Sequence, residues 1–176
     1  LFVSEDGTVS GWRNALGSAA ETLVVGFGDN VYKGAASATT AGHAYLYAAN
    51  FRAGSIDVAK GDAAAPDLAG KFTDPNLPAG FAPFNIRNLN DTLYVTYAVP
   101  DGTKTDDVAG PGNGIVDAFD LQGNLLARVG TQGSLNSPWG LEIAPASFGE
   151  FAGDLLVGNF GDGTISAFDP NSHSFE

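Results

Sequence analysis

The chain has 176 residues, including 24 Gly and no Cys or Met, and only 16% of its residues are charged. Twenty Asp and Glu against eight Lys and Arg give a formal charge of −12, which argues against nucleic acid and anionic membrane surfaces as partners, because no basic stripe is present to release counterions. The lack of Cys excludes disulfides, thiolate catalysis and Cys-based zinc sites, and no run approaches the ~20 apolar residues of a membrane span.

Leu1-Phe2-Val3-Ser4 followed by Asp6-Gly7-Thr8-Val9-Ser10-Gly11-Trp12 reads as a hairpin, with an Asp-Gly turn between period-two segments. A polar connection, Arg13 to Ala20, leads to a strand predicted over Glu21–Phe27, and Gly28-Asp29-Asn30 is a turn signal. Val31 to Ala38 carries the small residues expected of a crowded inner strand. Leu46 to Val58 is a second hairpin. Residues 61–82 read as a connection, in which Lys71-Phe72-Thr73 is predicted as a short outer strand and Asp74 to Gly80 is too rich in Pro and Gly for a central one.

Pro83-Phe84-Asn85-Ile86 aligns with Pro138-Trp139-Gly140-Leu141, each a Pro and an aromatic opening an inner strand. Leu93-Tyr94-Val95-Thr96-Tyr97 pairs with Gly114 to Asp120 across a sixteen-residue turn, Val99 to Gly114, which carries an insert of about twelve residues where the other copies have a tight turn. Asn124 to Val129 is an outer strand after the turn Leu121-Gln122-Gly123. Pro145 to Gly153 loops into a last hairpin, Leu155 to Asp169, with Gly161-Asp162-Gly163 at its turn.

The hairpins near 1–12, 46–58, 93–120 and 155–169 are copies of one another, spaced by 45, 47 and 62 residues. A period near 45 residues built of strands and tight turns is that of a β-propeller, in which each small sheet covers its apolar face by packing on the next. The expectation is an all-β chain forming one domain over 1–176, about four blades of a larger, six-bladed ring. Its first residue falls inside a strand, so further blades are expected on both sides.

Asp74-Pro75-Asn76-Leu77-Pro78-Ala79-Gly80-Phe81-Ala82-Pro83-Phe84-Asn85-Ile86, Asp107-Val108-Ala109-Gly110-Pro111-Gly112-Asn113-Gly114, Leu135-Asn136-Ser137-Pro138-Trp139-Gly140-Leu141 and Gly153 to Ile165 together resemble a family of secreted bacterial propeller proteins. That family is related to NHL-type repeats and often carries a PEP-CTERM sorting signal. The resemblance implies an extracellular or periplasmic propeller and no particular chemistry.

Two functions follow as expectations. The favoured one is a non-catalytic extracellular scaffold or binding protein without a cofactor, whose partner is a protein, a carbohydrate or further copies of itself. Its candidate ligand-binding residues are Phe84, Asn85 and Trp139 at the inner-strand openings, with Asp106 and Asp107 reaching over from the insert. The alternative is a calcium-dependent lactonase or esterase-like hydrolase, with a hard cation held by oxygens of Asn85, Asn159, Glu142, Asp106 and Asp107. Against it, Asn50 and Asn159 occupy equivalent hairpin positions, as hydrogen-bonding turn residues would. Asp101, Asp106 and Asp107 lack the spacing of an EF-hand loop. His43 and His173 have no Gly-x-Ser-x-Gly companion, so no catalytic residue is assigned.

Overall fold

The computed structural model describes residues 1–26 and 28–176. They form four antiparallel sheets, with two single-turn 3-10 segments at Asn14–Leu16 and Gly149–Phe151 and no α-helix among the described residues. Sheet one holds β1 (Phe2–Val3), β2 (Thr8–Gly11) and β3 (Glu21–Val25). Sheet two holds β4 (Tyr32–Thr40), β5 (His43–Asn50) and β6 (Ser55–Lys60). Sheet three has four strands in spatial order β7 (Ala82–Leu89), β8 (Thr92–Ala98), β9 (Ile115–Phe119) and β10 (Leu125–Thr131). Sheet four holds β11 (Pro138–Ile143), β12 (Leu155–Asn159) and β13 (Ile165–Phe168).

The four sequence copies are the pairs β1–β2, β5–β6, β8–β9 and β12–β13. Boundaries differ from expectation at three places. β3 stops at Val25, and Phe27 lies outside the described residues. β5 starts at His43, three residues ahead of the hairpin predicted from Leu46, so this histidine opens a strand. Lys71–Thr73 forms no strand: Gly70 N–H donates to the Gln122 carbonyl (2.8 Å) and Phe72 N–H to that of Gly123 (3.0 Å), which laces the segment to the β9–β10 turn. Phe72 thereby plugs the gap between two sheets, 5.5 Å from both the Tyr47 and the Phe119 rings.

Sheet three is apolar on both faces, which explains why Leu93-Tyr94-Val95 reads as a continuous rather than an alternating run. One face packs Ile86, Leu93, Val95, Tyr97, Ile115 and Phe119 on Tyr45, Tyr47, Ala49 and Ile56 of sheet two. The other packs Leu89, Tyr94, Val116 and Ala118 on Leu141, Leu155, Val157 and Phe168 of sheet four. Sheets one and two share a smaller cluster, Val9, Tyr32, Leu46 and Ala48.

The repeated hairpins share a polar device at their ends. Asn159 is buried, accepts from Asn136 N–H at 3.0 Å, and its amide nitrogen lies within reach of the Ser134 carbonyl, Thr164 Oγ1 and Ser166 Oγ at 3.0–3.2 Å. Asn50 repeats the pattern, accepting from Val31 N–H and donating to Asp57 at 2.8 Å. At the turn of the last copy, Asp162 accepts from the Thr164 amide and hydroxyl, and Gly163 alone of the predicted turn residues takes a positive φ, 76°.

Tyr97 and Asp117 stand where the second copy has Asn50 with Asp57 and the fourth has Asn159 with Ser166. This puts a carboxylate in the core between sheets two and three. Asp117 is fully buried and accepts from Arg128 Nε at 3.2 Å, but the same guanidinium also pairs with the buried Asp74. One cation therefore serves two anions, and the Asp117 Oδ2 has no hydrogen-bond partner among the described residues. Burial outweighs the lowering influence of the neighbouring Tyr97 hydroxyl and pushes Asp117 up to about 7. Burial likewise drives the Tyr97 hydroxyl upward.

A carboxyl whose folded pKa is raised adds stability below its unfolded pKa and loses that contribution as pH rises through about 7. Asp117→Asn removes this dependence. Relative to the parent, the variant should gain about 1–3 kcal/mol on going from pH 5 to pH 8, read as the difference between urea unfolding curves. Asn159→Ala should cost about 2–4 kcal/mol at any pH in the same assay, because it strands the buried Asn136 amide and removes the tie to the Ser134 carbonyl.

Candidate functional site

The first strands of sheets two, three and four, β4, β7 and β11, lie side by side. Each begins with the same irregularity. Tyr32 faces Asn50 but Gly34 faces Ala49, so Lys33 is an extra residue; by the same count Phe84 is extra on β7 and Trp139 on β11. A one-residue bulge breaks the alternation of side chains and re-aims the bulged one. Here all three turn into one cleft of about 380 Å³, lined by Glu5, Lys33, Phe84, Asp106, Asp107, Trp139 and Phe160.

Asn85, directly after one bulge, holds the three strands in register. It is buried beneath the cleft, donates to the Trp139 carbonyl at 2.6 Å and accepts from Ile86 N–H at 2.8 Å. Gly34 on β4 lies against it: a Cβ there would overlap the Asn85 carboxamide, so only glycine allows this approach. The Trp139 indole N–H donates to the Lys33 carbonyl at 3.0 Å, so the ring edge is tied down and a face stays open. Trp139 is 44% exposed and Phe160 71%, whereas Phe84 is 4% exposed and forms the floor. Phe84 packs on Phe51 at 5.1 Å below and meets Phe160 edge-on at 6.3 Å.

The insert supplies the acidic wall. Asp101 Oδ1 accepts from the Thr103 and Thr105 amides at 3.1 and 3.0 Å, and these hydrogen bonds hold its carboxyl below the usual range. A bridge between Pro100 and Asp107 closes the hairpin so formed. One side is pinned by Arg52, which donates to Thr105 Oγ1 at 2.9 Å. The other is pinned by Asn136, which accepts from Gly110 N–H at 2.7 Å. The insert therefore spans from sheet two to sheet four over the cleft. Asp106 reaches Lys33 Nζ at 3.0 Å, and Glu5 from the β1–β2 turn reaches the same ammonium at 2.6 Å. Lys33 is stretched into the cleft, its side chain only 9% exposed; desolvation would lower its pKa, but its two acidic partners outweigh that and raise it.

Of the five residues that the sequence nominates for ligand binding, Phe84, Trp139, Asp106 and Asp107 meet in this cleft, and Asn85 lies under it with both amide atoms engaged in protein bonds. The oxygens nominated for a cation are dispersed: Asn159 closes its own hairpin and Glu142 pairs with Arg87 at 3.1 Å. His43 pairs with Asp62 at 3.0 Å, and His173 sits in a turn with φ 60°. Sequence reasoning missed Lys33, Glu5 and Phe160. Lys33 is equivalent to Phe84 and Trp139 but lacks the Pro-aromatic signature, and Phe160 follows Asn159 as Phe51 follows Asn50.

The chain is similar to proteins of a giant virus. An uncharacterized protein of Acanthamoeba polyphaga mimivirus is 40% identical over 107 residues, 60% of this chain and 26% of that protein. A second is 42% identical over 100 residues, 56% of this chain and 26% of the relative, and a third is 38% identical over 97 residues, 54% and 18%. The matched part of this chain thus spans about a quarter or less of the length of these curated relatives. No family profile and no solved structure matches it.

Proposed function

We propose that the chain is about four blades of a six-bladed, NHL-like β-propeller, a secreted scaffold without catalytic function that holds a protein or carbohydrate partner in the cleft described above. The observation that carries this reading is the triple bulge: three equivalent strands send their one irregular side chain to a single place, over which the insert has been built. The propeller is supported by the 45- and 47-residue spacings of the copies, by first strands that lie side by side, and by a middle sheet that is apolar on both faces. Secretion is supported by the resemblance to PEP-CTERM-associated proteins. No helix among the described residues is long and apolar enough to cross a membrane.

Binding by such a cleft depends on exposed aromatic faces, which make large contacts at low entropic cost. The alternative, a calcium-dependent lactonase or esterase-like hydrolase, is favoured only by Glu5, Asp106 and Asp107 sharing the rim, and Glu5 and Asp106 already close on an ammonium. In a calorimetric screen of oligosaccharides and peptides, ligands are expected whose affinity falls about tenfold or more in both Trp139→Ala and Phe160→Ala, while Ile165→Ser, an exposed substitution outside the cleft, leaves it unchanged. Stoichiometric binding of Ca²⁺ together with lactone hydrolysis that Asp106→Asn abolishes would overturn the reading in favour of the hydrolase.

A further inference from the structure

The lining of the cleft specifies a ligand chemistry, an inference that rests on reading the cleft as a binding site. Three carboxylates, Glu5, Asp106 and Asp107, face one ammonium, Lys33, leaving two negative charges in excess in a chain whose formal charge is −12. Hydrogen-bonding capacity is equally one-sided. Lys33, the cleft's cationic donor, is committed to Glu5 and Asp106, and the Trp139 N–H is committed to the Lys33 carbonyl. What remains for a ligand is carboxylate acceptors and aromatic faces. Asp107 makes no ion pair among the described residues, and Trp139 and Phe160 are the exposed rings.

A sugar hydroxyl is matched most fully by donors as well as acceptors, and an anion needs a free cation. An organic ammonium group needs neither, since it only donates or, when fully methylated, only presents positive charge, and its partners are carboxylates and the negative faces of aromatic rings. The cleft already demonstrates the arrangement on its own Lys33, whose ammonium sits between two carboxylates at 2.6 and 3.0 Å. The geometry points to an organic ammonium cation as the ligand, held against Trp139 and Phe160 with Asp107 as its counter-ion and Lys33 as an internal competitor for Glu5 and Asp106.

Choline and its uncharged isostere 3,3-dimethylbutan-1-ol test this on the full chain. Trp12→Phe leaves Trp139 as the sole indole reporter, because the chain has two Trp. Choline should saturate the Trp139 fluorescence change, the isostere should bind at least about tenfold more weakly, and Asp107→Asn should weaken choline several-fold. Lys33→Ala, which frees two carboxylates, should tighten choline binding; weaker binding in this variant would overturn the inference. An isostere that binds as well as choline would overturn it while leaving the cleft a binding site. So would silence toward choline from a chain that still binds oligosaccharides or neutral peptides through Trp139. Silence toward all of them would sink both readings.

Discussion

Everything around the cleft depends on one extra residue. A strand that pairs without interruption sends its side chains alternately to two faces, and in this molecule those faces are packed against neighbouring sheets. An inserted residue breaks that alternation at one point and frees a side chain from both faces. On β4, β7 and β11 the break falls at the same register, opposite the end of the repeated hairpin, so Lys33, Phe84 and Trp139 are delivered together. The carboxamide of Asn85 keeps the three strands close, and Gly34 keeps the space for it.

The polar groups that the fold buries divide into two kinds. Asn50, Asn85 and Asn159 are matched on both sides of their amides and act as ties between segments distant in sequence. Such groups specify a geometry, since each offers donors and acceptors that only one arrangement can satisfy. Asp117 is different. It occupies a place that the second and fourth copies fill with a better-satisfied group, Asp57 and Ser166, and it shares a single guanidinium with Asp74. The core between sheets two and three is therefore sensitive to protonation in a way that the core between sheets three and four is not.

The cleft gathers its charge from the parts of the chain that deviate from the repeat. Asp106 and Asp107 come from the insert that only one copy carries, and Lys33 stands where the other strands have aromatic rings. Positions that the copies share supply the aromatic surface; positions where one copy departs from the others supply most of the charge. That division lets structurally similar copies build an asymmetric surface.

Much of this architecture was legible in the sequence. The all-β class, the four hairpins and the pairing of Pro83-Phe84 with Pro138-Trp139 follow from local signals, because alternation, tight-turn residues and repetition act over a few neighbouring positions. The sequence also singled out the insert as the departure from the repeat. It could not show that Lys71–Thr73 abandons strand pairing to lace the β9–β10 turn, or that Lys33 is the equivalent of two aromatic residues. Both depend on which residue faces which across distant strands, and bulge position is a property of pairing rather than of composition. Tertiary structure alone decided that Glu5, Lys33, Phe84, Asp106, Asp107, Trp139 and Phe160 share one cleft, because residues up to 155 positions apart meet only when the first strands of successive sheets come side by side.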